Sequence, residues 1–312
     1  MDIILHVGAH RTGTTSFQHY LRHNRDRLLA DRTVIWEPSL LRRGMFDGLF
    51  PRERVLNGRN LQRRAMGRVR LHAVQALRAG ADRLVISEEN IIGAPRACLR
   101  ATTLYPAAGE RLARLGMALE GRVRRVVIGV RSQDLWWASV AAYAVGKGHA
   151  VPHPARRADI AQNPRSWRDV ITDMACALPG AEIVVAPFER MAGRSDRLLE
   201  IATGRPAPTE AADVWLNRSP DRRGLADRLE QAAMPGDDLW QGRWQPFDAA
   251  QVSALREAYA DDMMWLTAGA DGLARLTEET PRDRAGRSLP DGTWIKGHHD
   301  DRHPQGYMAH TG

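Results

Sequence analysis

Residues 3–18 read IILHVGAHRTGTTSFQ: a short aliphatic run, a turn holding two glycines, and the opening of a helix. Ile3, Ile4, Leu5 and Val7 are too few for a buried helix, so they predict one buried strand of a parallel sheet. Gly8 ends that strand. From there to Ser16 the residues are small or hydrogen-bonding, and Thr12, Thr14, Thr15 and Ser16 can cap a helix whose free N–H groups point back into the turn. A turn of this kind binds an anion, most often a phosphate.

Outward from this stretch, apolar periodicity predicts a helix over 16–30, with Phe17, Leu21, Leu28 and Leu29 toward one face. His19 and His23 are four apart on it; without an acidic or third ligand they read as a solvated face. Thr33–Trp36 is a second strand, stopped by Pro38. Residues 39–57 hold two arginine clusters and read as a loop or small helical insertion over the site, followed by a helix over 61–77. Strands are expected at Arg83–Ile92, Arg125–Val130 and Glu182–Ala186. Helices are expected over 106–120, 133–144 and 164–178, then near 225–233 and 249–266. The alternation implies right-handed crossovers and an α/β fold.

At 312 residues the chain can bury a large core. It has no run of 18 apolar residues and its first residues go straight into a strand, so neither a membrane span nor a signal peptide is expected. Cys98 and Cys176 sit in unrelated contexts, which makes a reducing, cytoplasmic setting the default. The formal charge of +8 comes from 45 basic residues interleaved with 37 acidic ones, and Lys147 and Lys296 are the only lysines. A basic balance favours polyanionic ligands in general and discriminates little among them. Residues 1–277 read as one α/β domain with helical C-terminal additions; 278–312, rich in Arg, Asp, Gly, Pro and His, reads as a polar, mobile tail.

The spacing of Gly8, Gly13 and Thr15 matches a Walker A loop at both glycines and at the final hydroxyl, yet Thr14 stands where an NTPase carries its lysine. A cation occurs earlier, at Arg11. Arg11-Thr12-Gly13-Thr14-Thr15 resembles the Lys-Thr-Gly-Thr-Thr loop of the sulfotransferases, bacterial ones among them, that use 3′-phosphoadenosine 5′-phosphosulfate (PAPS). Four of five positions match. The resemblance covers about the first 200 residues through three ordered segments. It implies a three-layer P-loop NTPase-like fold, a parallel sheet of about five strands flanked by helices, and sulfuryl transfer from PAPS to a hydroxyl or amine, with no metal required.

In an open parallel sheet, residues just after each strand converge on a ligand even when they are distant in sequence. Three such ends carry polar clusters here: 8–16, 87–90 and 131–139. The resemblance makes Gly8, Arg11, Thr12, Gly13, Thr14, Thr15 and Ser16 the 5′-phosphosulfate loop, with Arg11 in the lysine's role of neutralising charge on the bridging oxygen. It makes Arg131 and Ser139 the 3′-phosphate pair, eight apart, the guanidinium giving bidentate charged hydrogen bonds and the hydroxyl one more. Glu88 and Glu89 are candidates for the base that deprotonates the acceptor, and strand alternation would send them to opposite sides, Glu89 being preferred. His10 either assists catalysis or is structural. Residues 215–220, WLNRSP, form a polar loop able to meet the adenosine or the acceptor, and Trp294–Gly297 is a loose candidate for a late phosphate-closing segment.

The acceptor class stays open among carbohydrate, lipid and small metabolite, and no nucleic-acid partner is expected. Two rival readings remain. A P-loop phosphotransferase or kinase would want a lysine at position 14 and a metal-binding acid. A non-catalytic polyanion-binding module would want its basic residues on one face.

Overall fold

Near-continuous aliphatic runs at 3–7, 84–86, 126–128 and 183–185 can be satisfied only by strands buried on both faces, and that is how they fold. The computed structural model describes residues 1–50, 58–220, 223–231 and 243–277. Its strands are β1 (Asp2–His6), β2 (Thr33–Trp36), β3 (Arg83–Ser87), β4 (Val123–Val130), β5 (Glu182–Pro187) and β6 (Arg275–Leu276). They form one all-parallel sheet in the order β2-β3-β1-β4-β5-β6.

The helices in chain order are α1 (Thr14–His23), α2 (Arg25–Ala30), α3 (Pro38–Leu40), α4 (Gly58–Arg78), α5 (Pro95–Ala101), α6 (Ala108–Ala118), α7 (Gln133–Gly146), α8 (Pro154–Gln162), α9 (Trp167–Ala177), α10 (Phe188–Met191), α11 (Ser195–Thr203), α12 (Ala226–Gln231) and α13 (Ala249–Thr267). The period of two along the strands sorts the core into two layers. Ile4, Val85, Val127 and Val184 face Phe17, Tyr20 and Leu21 of α1 with Leu199 of α11. Ile3, Leu5, Leu84, Ile86, Val126, Ile128, Ile183 and Val185 face the larger layer built by α4, α6, α7, α9 and α13. Each fully buried aliphatic side chain contributes about 1.5–3 kcal/mol of transfer free energy.

Several expectations change. The sheet has six strands rather than about five; β6 is two residues long, too short to show a period. The third strand ends at Ser87, not Ile92, because the Glu88 side chain accepts the Asn90 N–H and caps a 3₁₀ turn over Glu89–Ile91. The helix expected over 16–30 is broken at Asn24, whose Nδ2 donates to the Tyr20 and Glu210 carbonyls instead of letting the helix run on. The sequence pattern passed over α5 and α8, short helices that each carry proline in the first turn. The helix expected from Pro164 starts at Trp167, where Ser166 and Asp169 form a capping box. The described residues belong to one compact unit, Met1–Glu278. The expected tail at 278–312, Trp294–Gly297 within it, and residues 51–57 of the expected insertion lie outside the described residues.

Among the described residues no helix is long and apolar enough to cross a membrane.

Candidate functional site

β1 delivers the chain to its carboxyl edge between β3 and β4, the two strands whose ends carry the other polar clusters. The Gly8–Ser16 loop is held there by its own backbone. The Ala9 N–H donates to the Gly129 carbonyl at 3.0 Å, and the Ala9 carbonyl accepts the Thr12 hydroxyl at 2.7 Å and the Thr14 hydroxyl at 2.9 Å. The loop is closely backed by β4: a Cβ on Gly129 would lie 2.6 Å from Thr12 Oγ1. Gly13, at φ 85°, makes the left-handed turn that starts α1 without a side-chain cap. Its first-turn N–H groups therefore face the loop with no intrahelical partner, and the positive end of the helix dipole lies behind them.

The opposite wall comes from β4 and α7. Arg131 follows β4, is 5% exposed, and donates from Nη1 to the Arg11 carbonyl at 3.0 Å. Its guanidinium lies 4.6 Å from the centre of the Phe188 ring, and its Nε is buried without a partner. Arg11 itself, at φ 63°, sends its side chain to α7, where Nε donates to Ser139 Oγ at 2.9 Å and Nη2 to Ser219 Oγ at 2.8 Å. Ser139 and Ser219 are hydrogen-bonded to each other. Among the described residues neither arginine has a carboxylate within ion-pair distance. Two acids have fields that reach Arg131, and both are engaged elsewhere: Glu189 accepts from the Ser132 N–H and the Tyr259 hydroxyl, and Asp134 accepts from the Ser132 hydroxyl and Arg256 Nε. Burial pulls both guanidiniums down to about 10, so both remain cations at neutral pH. Withdrawing cations from water with no counter-ion among the described residues is costly, and an incoming anion would relieve it.

On the β3 side the charges are balanced. Glu88 is 2% exposed and has both oxygens occupied: Arg42 donates to each at 2.7 and 2.8 Å, and Asn90 adds its backbone and side-chain N–H groups. Glu89, with a 17% exposed side chain, accepts from Arg42 at 2.8 Å and from Gln18 at 2.8 Å. Burial pushes the Glu89 carboxyl up, but His10 when protonated, its own backbone N–H, Gln18 and Arg42 together hold it below the ordinary value; with His10 neutral, the backbone N–H, Gln18 and Arg42 still favour the carboxylate. Glu88 and Glu89 do not alternate across a strand, since the strand has ended; one arginine bridges both. Glu89 lies against the loop: a Cβ on Gly8 would come within 3.0 Å of Glu89 Cβ.

His10 stands between the two walls with every polar atom committed. Its N–H donates to the Tyr105 hydroxyl, which in turn is 3.0 Å from Nδ1; Nε2 is 3.3 Å from Asn90 Oδ1. Since the hydroxyl already accepts from the backbone, its proton goes to Nδ1, leaving Nε2–H to donate to Asn90. Burial lowers the His10 imidazole to about 4, so it is neutral. This chain is consistent with an orienting His10 that fixes Asn90, and through it Glu88.

The structure thus brings Gly8, His10, Arg11, Thr12, Gly13, Thr14, Ser16, Glu89, Arg131 and Ser139 to one sheet edge. Two placements differ from the sequence reading. Ser139 accepts from Arg11 rather than standing beside Arg131 alone, and Arg11 points to α7, so the two expected phosphate sites merge into one hydrogen-bonded cluster. Thr15 is exposed, and its hydroxyl accepts from Asn217 Nδ2 at 3.3 Å, while Ser16 Oγ accepts the Leu216 N–H at 2.9 Å. The 215–220 loop therefore lies on the start of α1. Sequence reasoning missed Arg42, Gln18 and Tyr105, and it named Asn90 and Ser219 only as members of the 87–90 and 215–220 segments, without a role. Only Gln18, one turn beyond Thr14 on α1, had a helical-spacing signal.

Compared with family models, curated proteins and solved structures, the chain matches none.

Proposed function

We propose that this chain is a sulfotransferase with a P-loop-like fold, moving a sulfuryl group from PAPS to an acceptor hydroxyl or amine. One observation carries the reading: a threonine loop at a helix N-terminus faces the buried Arg131 guanidinium and the half-buried Arg11, neither of which has a carboxylate partner among the described residues. A donor with anionic groups at both ends of its ribose supplies what both lack. The N–H groups of the α1 first turn take the 5′-phosphosulfate. Arg131 and Arg11, with Ser139, take the 3′-phosphate. Phe188 and Trp215, with ring centres 6.0 Å apart and Arg218 over Trp215, form an aromatic surface beside them for the base.

The acceptor oxygen or nitrogen attacks sulfur, forming the new O–S or N–S bond as the bond from sulfur to the bridging phosphate oxygen breaks. The acceptor proton passes to the Glu89 carboxylate, and the departing charge stays on 3′-phosphoadenosine 5′-phosphate (PAP). Glu89 is held ionised beside Gly8, the state a base needs. The helix dipole and loop N–H groups are already aimed at the leaving phosphate, so little reorganisation is needed.

Native mass spectrometry of the protein with equimolar PAP and ATP tests the class. The reading predicts a dominant PAP complex. A dominant ATP complex would transfer the site to a phosphotransferase.

A further inference from the structure

A second concentration of cations, unpaired among the described residues, lies away from the loop. α5 carries Arg96 and Arg100 four residues apart, hence on one helical face. They line a cavity of about 560 Å³ together with His149 and His153 from the α7–α8 connection and Arg156 of α8. Asp159 is the one acid in its wall. None of the three arginines makes an ion pair or hydrogen bond with the described residues, and all three are exposed. Three guanidiniums around a concavity of ligand size focus a positive potential into it.

Arg100 also lines a neighbouring cavity of about 940 Å³, whose wall includes Asn90 and Tyr105. These are the two residues that hold His10. The concave surface therefore runs from the Glu89 end of the catalytic loop, past α5, to the arginine cleft.

We propose that the cleft of Arg96, Arg100 and Arg156 is a second anion-binding site, taking a sulfate, phosphate or carboxylate group carried at a distance from the reacting end of an elongated, anionic acceptor. The acceptor part rests on the sulfotransferase reading; anion binding in the cleft does not. The cavity between the two sites holds the uncharged stretch of the chain. Exposed guanidiniums with no partner among the described residues can bind such groups as bidentate, charge-assisted pairs.

The test is calorimetry with a short dextran sulfate oligomer as probe, a neutral dextran oligomer of equal length and inorganic sulfate as comparisons, and PAP as a reporter of the loop. In the combined variant Arg96→Ala, Arg100→Ala, Arg156→Ala the oligomer's affinity should fall about tenfold or more, with PAP affinity unchanged. A control that removes equal charge elsewhere, Arg63→Ala, Arg64→Ala, Arg78→Ala on α4, should leave both unchanged, and so should Arg131→Ala for the oligomer. An unchanged oligomer affinity in the cleft variant, or an equal fall in the α4 control, would overturn the site. Sulfate alone binding as tightly as the oligomer would overturn the extended ligand. Loss of PAP binding by the native protein, with oligomer binding still lost only in the cleft variant, would remove the sulfotransferase reading and leave the second anion site standing.

Discussion

The two walls of the loop at the end of β1 hold the same kinds of charge in opposite states. Toward β4 and α7, the half-buried Arg11 and the buried Arg131 are cations whose partners are neutral oxygens: two serine hydroxyls and a carbonyl. Toward β3, the buried Glu88 and the half-buried Glu89 are carboxylates fully answered by Arg42, Gln18 and Asn90. A balanced cluster is complete within the protein and fixes the geometry of the turn. An unbalanced one is complete only with a ligand. On the proposed reading, the donor's 3′-phosphate belongs to the α7 wall and proton chemistry to the β3 wall.

Exchanging the charge at Glu89 breaks the comparison most severely. Glu89→Gln keeps the bond to Arg42 or Gln18 but removes the base, so turnover should fall about a thousandfold, roughly 4 kcal/mol of barrier, while PAP binding by calorimetry stays as it was. A variant with native turnover would move the base elsewhere on the β3 wall.

The next effect concerns the histidines that lie between or beneath the walls. His6, bonded through Nδ1 to Ser87 Oγ at 2.8 Å, and His10 are both lowered by burial to about 4 from 6.5. Their folded pKa lies below the unfolded one, so the unfolded chain binds the extra protons and stability falls as pH drops from 6.5 toward 4. Each contributes up to about 3 kcal/mol of this loss. Urea titrations between pH 7 and pH 4.5 should show it, and a His6→Phe, His10→Phe double variant should flatten the slope. An unchanged slope would mean the two imidazoles are protonated in the folded state.

Arg42→Ala leaves Glu88 buried with only Asn90 for company and should cost about 2 kcal/mol of stability, read from the denaturation midpoint. Ser219→Ala, on the other wall, frees Arg11 Nη2 from a neutral partner and should change stability by less than about 1 kcal/mol while leaving PAP affinity equal or higher. A larger loss from Ser219→Ala than from Arg42→Ala would reverse the assignment of which wall is self-sufficient.

The parts legible in the sequence were those set by local pattern. The run before Gly8, the aliphatic cores of β3, β4 and β5, and the threonines after Gly13 each reflect a requirement expressed within a few residues: burial on two faces, a left-handed turn, a helix start. Strand ends could be named as candidate site positions because a parallel sheet gathers them. What stayed hidden depended on partners distant in the chain. Glu88 ends its strand because of a cap and an arginine 46 residues away, and α1 stops at Asn24 because Glu210 offers a carbonyl. Arg11 turns toward α7 because Ser139 and Ser219 wait there, the latter 208 residues on. No spacing rule carries such contacts.

The unbalanced wall is the central claim, and calorimetric titration of PAP into the native protein and into Arg131→Ala tests it most directly. The account predicts PAP binding to the native protein and a loss of about a hundredfold in the variant, near 3 kcal/mol for a buried charge-assisted pair. Equal affinity in both would contradict it, since the buried cation at the end of β4 would then have no part in holding the donor.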